Sequence, residues 1–352
     1  MFIAKNPAVA ARFFDTVMES FIQVIIRYGR GVGLLGRCDT YYGMVEALGR
    51  GTLHCHMLIW LKGNPSPDML WEQMHEDNEY KVNILKWIES IIRCELPDMT
   101  VPLSSQECVM LSKPRVREKE DPRLQLGLMI DHSMPETFAK DFRLFMTELA
   151  IYCNWHTHSN TCWKHLKQGV DPKDDAHCCM RIDGLTRSMT EIDVNTQTIM
   201  LQRLHPWINN FNDVVLFLLR CNMDIKFIGT GAAMKALIYY VTDYITKSSL
   251  PVHAGLSVLS YAIRSNEARF VNDPSSPEAT RDRSLITKTV NAIMARQELS
   301  HQQVMSYLVG GGNHYTSHKY KILKWHEFDR YFRSITDVNG IDKDPNIPSD
   351  PC

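Results

Sequence analysis

Apolar and polar positions along the chain follow two periods, one helical and one extended. From Asn6-Pro7 onward, Val9, Phe13, Val17, Phe21, Val24 and Tyr28 recur at helical spacing until Gly29 interrupts them. Asn6 is placed to cap this helix, with Pro7 in its first position, and its apolar stripe is expected to pack on a sheet. Residues 42–47 and 53–61 read as strands around a Gly49-Arg50-Gly51 turn, which makes a hairpin. The second strand becomes apolar on both faces toward its end, as buried strands do. Residues 67–93 read as mostly helical, 80–93 most clearly. Residues 97–122 carry Pro97, Pro102, Pro114 and Pro122 and read as a loop, and 135–152 as a helix. After an irregular stretch at 153–179, a strand is expected at 196–204, a helix at 213–221 and a short strand at 224–228. Gly229-Thr230-Gly231 then opens a helix to about Lys247. Further helices follow Gly255, then a Gly310-Gly311-Gly312 turn flanked by short strands. The polar, Pro-rich tail from Asp342 is expected to fray.

Mixed runs of this kind predict an α+β fold. The 352 residues, 44% of them hydrophobic, suffice for a sizeable core and about two domains. The formal net charge of −1 and pI near 6.9 argue mildly against a dedicated nucleic-acid binder, but leave room for a local basic surface. No apolar run is long enough for a membrane span, and the first ten residues lack the pattern of a signal peptide. The ten cysteines do not demand a disulfide framework. Eight Cys and His residues crowd between Cys153 and Cys179, which points to metal binding in a reducing compartment.

The most informative segment runs from Glu46 to His54-Cys55-His56. Strand side chains alternate faces, so His54 and His56 point the same way and offer two imidazoles to a divalent ion. If Gly49, Arg50 and Gly51 form a three-residue loop, Leu48 pairs with Thr52, and Glu46 stands directly opposite His54. The two Cβ atoms would then lie about 4.5–5.5 Å apart, and Glu46 becomes the third arm. A two-residue loop would turn Glu46 to the other face. The alternative is a pair of sheet histidines with structural hydrogen bonds. A cupin-type site would require a carboxylate shortly after His56, and Met57-Leu58-Ile59-Trp60-Leu61 supplies none.

The second segment is Tyr239-Tyr240-Val241-Thr242-Asp243-Tyr244-Ile245-Thr246-Lys247. Tyr240, Tyr244 and Lys247 share one helix face, with Tyr239 about a hundred degrees away. A phenol with a pKa near 10 is a weak nucleophile until a cation or a polarised phosphate assists it. Two tyrosines on one face would permit two sequential transfers. The alternative is an aromatic stripe packed into the core. Gly229-Thr230-Gly231 is a helix start, since no Gly-Lys-Ser/Thr follows.

Together these segments resemble the HUH-type rolling-circle nucleases, and the tyrosines four apart resemble the Helitron branch. Glu46 resembles the acidic third ligand of related viral replication initiators. Asn6-Pro7, Tyr42 to Glu46, His156-Thr157-His158 to Cys162, Cys221 to Ile225, and Tyr244 to Lys247 also resemble the N-terminal Helitron-like domain, over roughly residues 6–330. The resemblance implies a palm: a central antiparallel sheet covered by helices, with the histidines on a central strand. It divides the chain into a nuclease core at 1–150 with the metal-binding hairpin at 42–61, a Cys/His-rich insert at 151–183, a second half at 184–255 with the tyrosine helix at 231–248, and a helical extension at 256–352.

It further implies Mg²⁺ or Mn²⁺ on Glu46, His54 and His56. Tyr240 or Tyr244 attacks single-stranded DNA at transposon ends to form a 5′-phosphotyrosine, with Lys247 steadying the tyrosinate or phosphate. A nuclear location follows. The corresponding Helitron insert ends in a cysteine before a basic residue, which Cys179-Met180-Arg181 fits. A structural Zn²⁺ on Cys153, His158, Cys162 and Cys179, with His156 in reserve, is therefore expected. The alternative is a loop of thiols and surface histidines. Full Helitron proteins add a Pif1-like helicase region, a partner whose Walker A motif the 352 residues lack, so the resemblance is to the nuclease part alone. The family's upstream DNA-binding segment has no counterpart either.

Arg50, Arg203, Lys226 and Lys235 are candidate DNA contacts, or solvated surface. Two rivals stand: a DNA-binding remnant that no longer cuts, and a metalloenzyme acting on a small molecule.

Overall fold

The computed structural model describes residues 5–47, 52–114, 121–125, 134–163, 166, 175–193, 195, 198–229, 235, 239, 252–271, 275, 277–296, 300–319 and 327–331. Its contacts divide the chain into two units, Met1–Tyr315 and Thr316–Cys352. The second is described only at 316–319 and 327–331, the latter helical.

In the first unit, helix α1 (Pro7–Ser20) runs into a π-helical turn at Phe21–Ile25, where Ile26 N reaches back five residues to Phe21 O at 3.0 Å. Strands β1 (Cys38–Ala47) and β2 (Leu53–Leu61) form the expected antiparallel hairpin. A short strand, β5 (His314–Thr316), completes a sheet of order β2-β1-β5. One face of this sheet packs on α1: Met18, Ile22 and Ile26 meet Cys38, Val45 and Tyr315, with Leu53, Cys55, Met57 and Ile59 alongside.

The buried side of α1 differs from the expected stripe. Val9 and Phe13 are 61% and 71% exposed, while Ala11 and Met18 are buried. The helix carries two apolar stripes at helical spacing, and tertiary contacts choose between them. Asp15 Oδ1 accepts from Gly311 N and from the Tyr315 hydroxyl, both at 2.8 Å, which turns the neighbouring stripe onto the sheet. The sheet order also corrects an expectation. Among the described residues the histidine strand β2 lies at the edge, and the central strand is β1.

The helical stretch 67–93 is two helices, α2 (Pro67–Glu76) and α3 (Asn78–Ile91). Asp77 separates them because its Oδ1 accepts from Glu79 N and Tyr80 N, capping the second. The expected loop at 97–122 contains a short helix, α4 (Ser105–Met110), held by a reciprocal capping box between Ser104 and Glu107. Helix α5 (Pro135–Asn154) packs with α6 (Asp213–Leu219) around Phe145, Met146, Leu149, Ile208, Phe211 and Leu216. Strands β3 (Glu191–Asp193) and β4 (Thr198–Met200) pair antiparallel.

Residues 224–228 form no strand. Within this stretch a side-chain amide takes a carbonyl a ladder would use, Asn210 Nδ2 donating to Ile225 O, and just before it Asn209 Nδ2 donates to Met223 O. Helices α7 (Val252–Phe270), α8 (Glu278–Ala295) and α9 (His301–Val309) come next, so the turn at 310–312 has a helix before it and a strand only after it. The helix expected over 231–248 is described only at Lys235 and Tyr239, both helical and exposed. The tail from Asp342 lies outside the described residues. No described helix is long and apolar enough to cross a membrane.

Candidate metal centres

The hairpin register decides which side chains meet. Glu46 pairs with His54, Val45 with Cys55 and Met44 with His56. Val45 and Cys55 belong to the face against α1, so Glu46, His54 and His56, each one residue off, share the opposite face. There His54 Nε2 and His56 Nε2 are 3.0 Å apart, and Glu46 Oε2 lies 3.5 Å from each. Ligands on bonds of about 2.1 Å to a divalent ion stand at roughly these separations when adjacent in its coordination shell, so the donor set fits such an ion. Burial, and then the neighbouring His56, push the His54 pKa down, against a smaller opposing pull from Glu46. A neutral imidazole keeps its lone pair for a metal.

A second group forms where α5 ends. His156 N donates to Trp207 O at 2.7 Å, which fixes the start of the loop. His156 Nε2 lies 3.1 Å from His158 Nδ1, 3.7 Å from Cys162 Sγ and 3.4 Å from Cys178 Sγ. The four ligand atoms all fall within 4.8 Å of one another. Bonds of about 2.0–2.3 Å to tetrahedral zinc imply ligand separations of roughly 3.3–3.8 Å, so this cluster can bind a metal such as zinc.

Two details add to the fit. Ser159 N points at Cys162 Sγ at 3.4 Å. Asp175 Oδ1 lies 3.1 Å from His158 Nε2, the nitrogen that faces away from the other three ligands. The carboxylate stands close to that nitrogen without a hydrogen bond to it, so the contact is one of charge. Burial pushes the His156 pKa down to about 4 and the Cys178 thiol up. The surroundings are apolar, with Ile182, Trp163 and Trp207 packed against the thiols.

The cluster differs from the expected ligand set. His158 and Cys162 belong to it, His156 enters from reserve, and Cys178 stands where Cys179 was expected. Cys179 is exposed and is not among the four gathered ligands, and its backbone N donates to Cys162 O at 3.0 Å. Cys153 turns toward Arg220 O instead, at 3.7 Å. Only the doublet Cys178-Cys179 signalled this alternative in the sequence. Asp175 carried no signal there, because nothing in the sequence places it beside His158.

Of the expected DNA contacts, Arg203 is a structural residue. It is 6% exposed and donates to Ile208 O at 2.6 Å and Asn210 Oδ1 at 2.9 Å, so its charge is spent inside the fold. Lys226 pairs with Asp224 at 2.8 Å. Lys235 is exposed. Arg50, Tyr240, Tyr244 and Lys247 lie outside the described residues.

The fold and site therefore define a mixed α/β protein with a small antiparallel sheet and two side-chain groups able to hold metal ions. Residues 3–59 match the family model of the Helitron helicase-like domain at the N-terminus. The chain thus carries a Helitron-like N-terminal domain, and that segment contains α1, β1 and all three residues of the hairpin triad. No curated protein and no solved structure matches the chain.

Proposed function

We propose that the chain is the nicking part of a Helitron-type transposase, an HUH-type palm that cuts and rejoins single-stranded DNA through a tyrosine. The observation that carries this reading is the Glu46, His54 and His56 triad, gathered on one sheet face inside the Helitron-like segment. A Mg²⁺ or Mn²⁺ ion on these residues would act as a Lewis acid toward a scissile phosphate. Glu46, His54 and His56 hold their donor atoms together on two paired strands, and burial favours the neutral imidazole of His54. Tyr240 or Tyr244 supplies the phenol oxygen that bonds to phosphorus. The bond to the 3′-oxygen breaks, that oxygen takes a proton, and a 5′-phosphotyrosine remains. The second tyrosine can repeat the exchange, and Lys247 favours the ionised phenol. The phosphotyrosine conserves the phosphodiester, so rejoining needs no nucleotide cofactor. The Cys/His cluster serves as a structural zinc site that holds the loop after α5.

The test is cleavage of end-labelled single-stranded and duplex DNA with Mn²⁺ and with chelator. Cutting of the single strand alone, abolished by chelator, is expected. A protein that retards single-stranded DNA on a native gel but yields no fragments would instead be a non-cutting remnant.

A further inference from the structure

Helices α7 and α8 pack against each other through polar ties. Asn266 Nδ2 donates to Arg281 O at 3.1 Å, and Lys288 Nζ donates to Ser265 O at 2.6 Å. Beside these ties lies an open cavity of about 230 Å³ lined by Arg269, Thr280, Arg283, Ser284, Thr287 and Lys288. The five α8 residues fall at i, i+3, i+4, i+7 and i+8, one continuous helix face. Thr280, Arg283 and Thr287 stand exposed along this face, Ser284 and Lys288 are half-buried toward α7, and the exposed Arg269 borders the opening from α7.

Among the lining residues no carboxylate occurs, although Glu267, Glu278 and Asp282 lie on the same two helices; Lys288 Nζ is tied to Ser265 O and Oγ and Thr287 Oγ1 to Arg283 O, which leaves Arg269 and Arg283 as the two cations facing the opening. Converging like charges repel one another, and an anion removes that cost. Arg269 donates to Ser284 Oγ at 3.3 Å, which uses one of five guanidinium donors and leaves the others available. Arg283 is exposed. Planar guanidinium groups beside hydroxyls match the several acceptor oxygens of a phosphate. The stripe from 280 to 288 spans about 12 Å of helix, long enough to follow successive phosphates of a strand. The openness of the cleft suits a passing backbone better than an enclosed small ligand.

We infer that the cleft between α7 and α8 is a phosphodiester-binding site that grips the backbone of single-stranded DNA. The assignment of the phosphate to DNA rests on the proposed nuclease reading. The site accounts for how a chain with a formal net charge of −1 engages a polyanion, by concentrating cations locally.

The experiment uses the full chain and a fluorescein-labelled thymidine oligonucleotide, followed by anisotropy over a salt series. Arg283→Ala should weaken binding about 3–10-fold and flatten the dependence of log K on log salt by about 0.7 for each phosphate that is no longer neutralised. Arg283→Lys should retain most of the affinity. Arg264→Ala, a cation on α7 outside the cavity, should leave affinity unchanged. Equal effects of Arg264→Ala and Arg283→Ala, or none of either, would overturn the site. A second arm measures phenylglyoxal modification of Arg283 with and without inorganic phosphate. Protection by phosphate in a protein that binds no DNA would overturn the nucleic-acid assignment and leave a small-anion site. DNA binding without protection of Arg283 by phosphate or by the oligonucleotide would overturn the cleft and leave the nuclease reading standing.

Discussion

His205 shows what one buried residue contributes. Its Nδ1 accepts from Trp207 N and Ile208 N, both at 3.1 Å, and burial, with Arg203 nearby, pushes its pKa down to about 4. A proton on that nitrogen would face two amide hydrogens. The unfolded residue titrates near 6.5, so between about pH 4 and 6.5 the unfolded chain binds more protons. The contribution of His205 is therefore complete above about pH 6.5 and is lost as pH falls toward 4. It should be reduced by about 2 kcal/mol at pH 5. Denaturant unfolding at pH 7 and pH 5 should show a smaller pH effect in His205→Asn than in the parent; parallel losses would contradict this assignment. No sequence pattern distinguished His205 or Arg203 as interior residues, because both depend on the turn at 205–211. The pairing of Glu46 with His54 was legible, since a period of two and a glycine-flanked turn fix register locally.

Elements were legible where one local rule dominated and obscure where contacts between elements decided. The hairpin and α5 follow from periodicity. The inward face of α1 does not, because two apolar stripes compete and Asp15 settles the choice through partners some 300 residues away in sequence. The π turn is equally hidden, because residues 33–34 stabilise it from beyond its C-terminal end. Leu34 N bonds to Ile25 O at 2.9 Å, and Gly33 sits so close to the preceding turn that an added Cβ would lie 2.4 Å from Ile26 O. A backbone atom cannot swing aside as a side chain can. Gly33→Ala should therefore lower stability by about 1–3 kcal/mol and loosen the end of α1 against the sheet. Thermal unfolding checks this, and an unchanged midpoint would show that the loop yields freely. The strand expected at 224–228 failed for a related reason: the Ile225 carbonyl is claimed by the Asn210 side chain, which periodicity cannot reveal.

Across the whole molecule, the Helitron-like segment supplies the hairpin, while the Cys/His cluster and the basic cleft lie beyond it. The crowding of Cys and His between 153 and 179 was plain in the sequence, but the ligand set required the fold that brings 178 back to 156. Metal bound there should cross-link the loop after α5, since binding free energy becomes folding free energy. Removing zinc with a strong chelator should lower the melting temperature by about 5–10 °C, and Cys178→Ser should reproduce that loss. Cys179→Ser should not, and equal effects of the two serines would return Cys179 to the ligand set.

The central claim, a metal triad working with a tyrosine on single-stranded DNA, is tested most directly by looking for the covalent product. Parent, Glu46→Gln, His56→Ala, Tyr240→Phe, Tyr244→Phe and the double tyrosine variant are incubated with Mn²⁺ and labelled single-stranded DNA, then resolved under denaturing conditions. The account predicts a slow-migrating protein–DNA adduct in the parent, strongly reduced in Glu46→Gln and His56→Ala and absent when both tyrosines are replaced. Cleavage without an adduct, or an adduct that survives loss of both tyrosines, would contradict it.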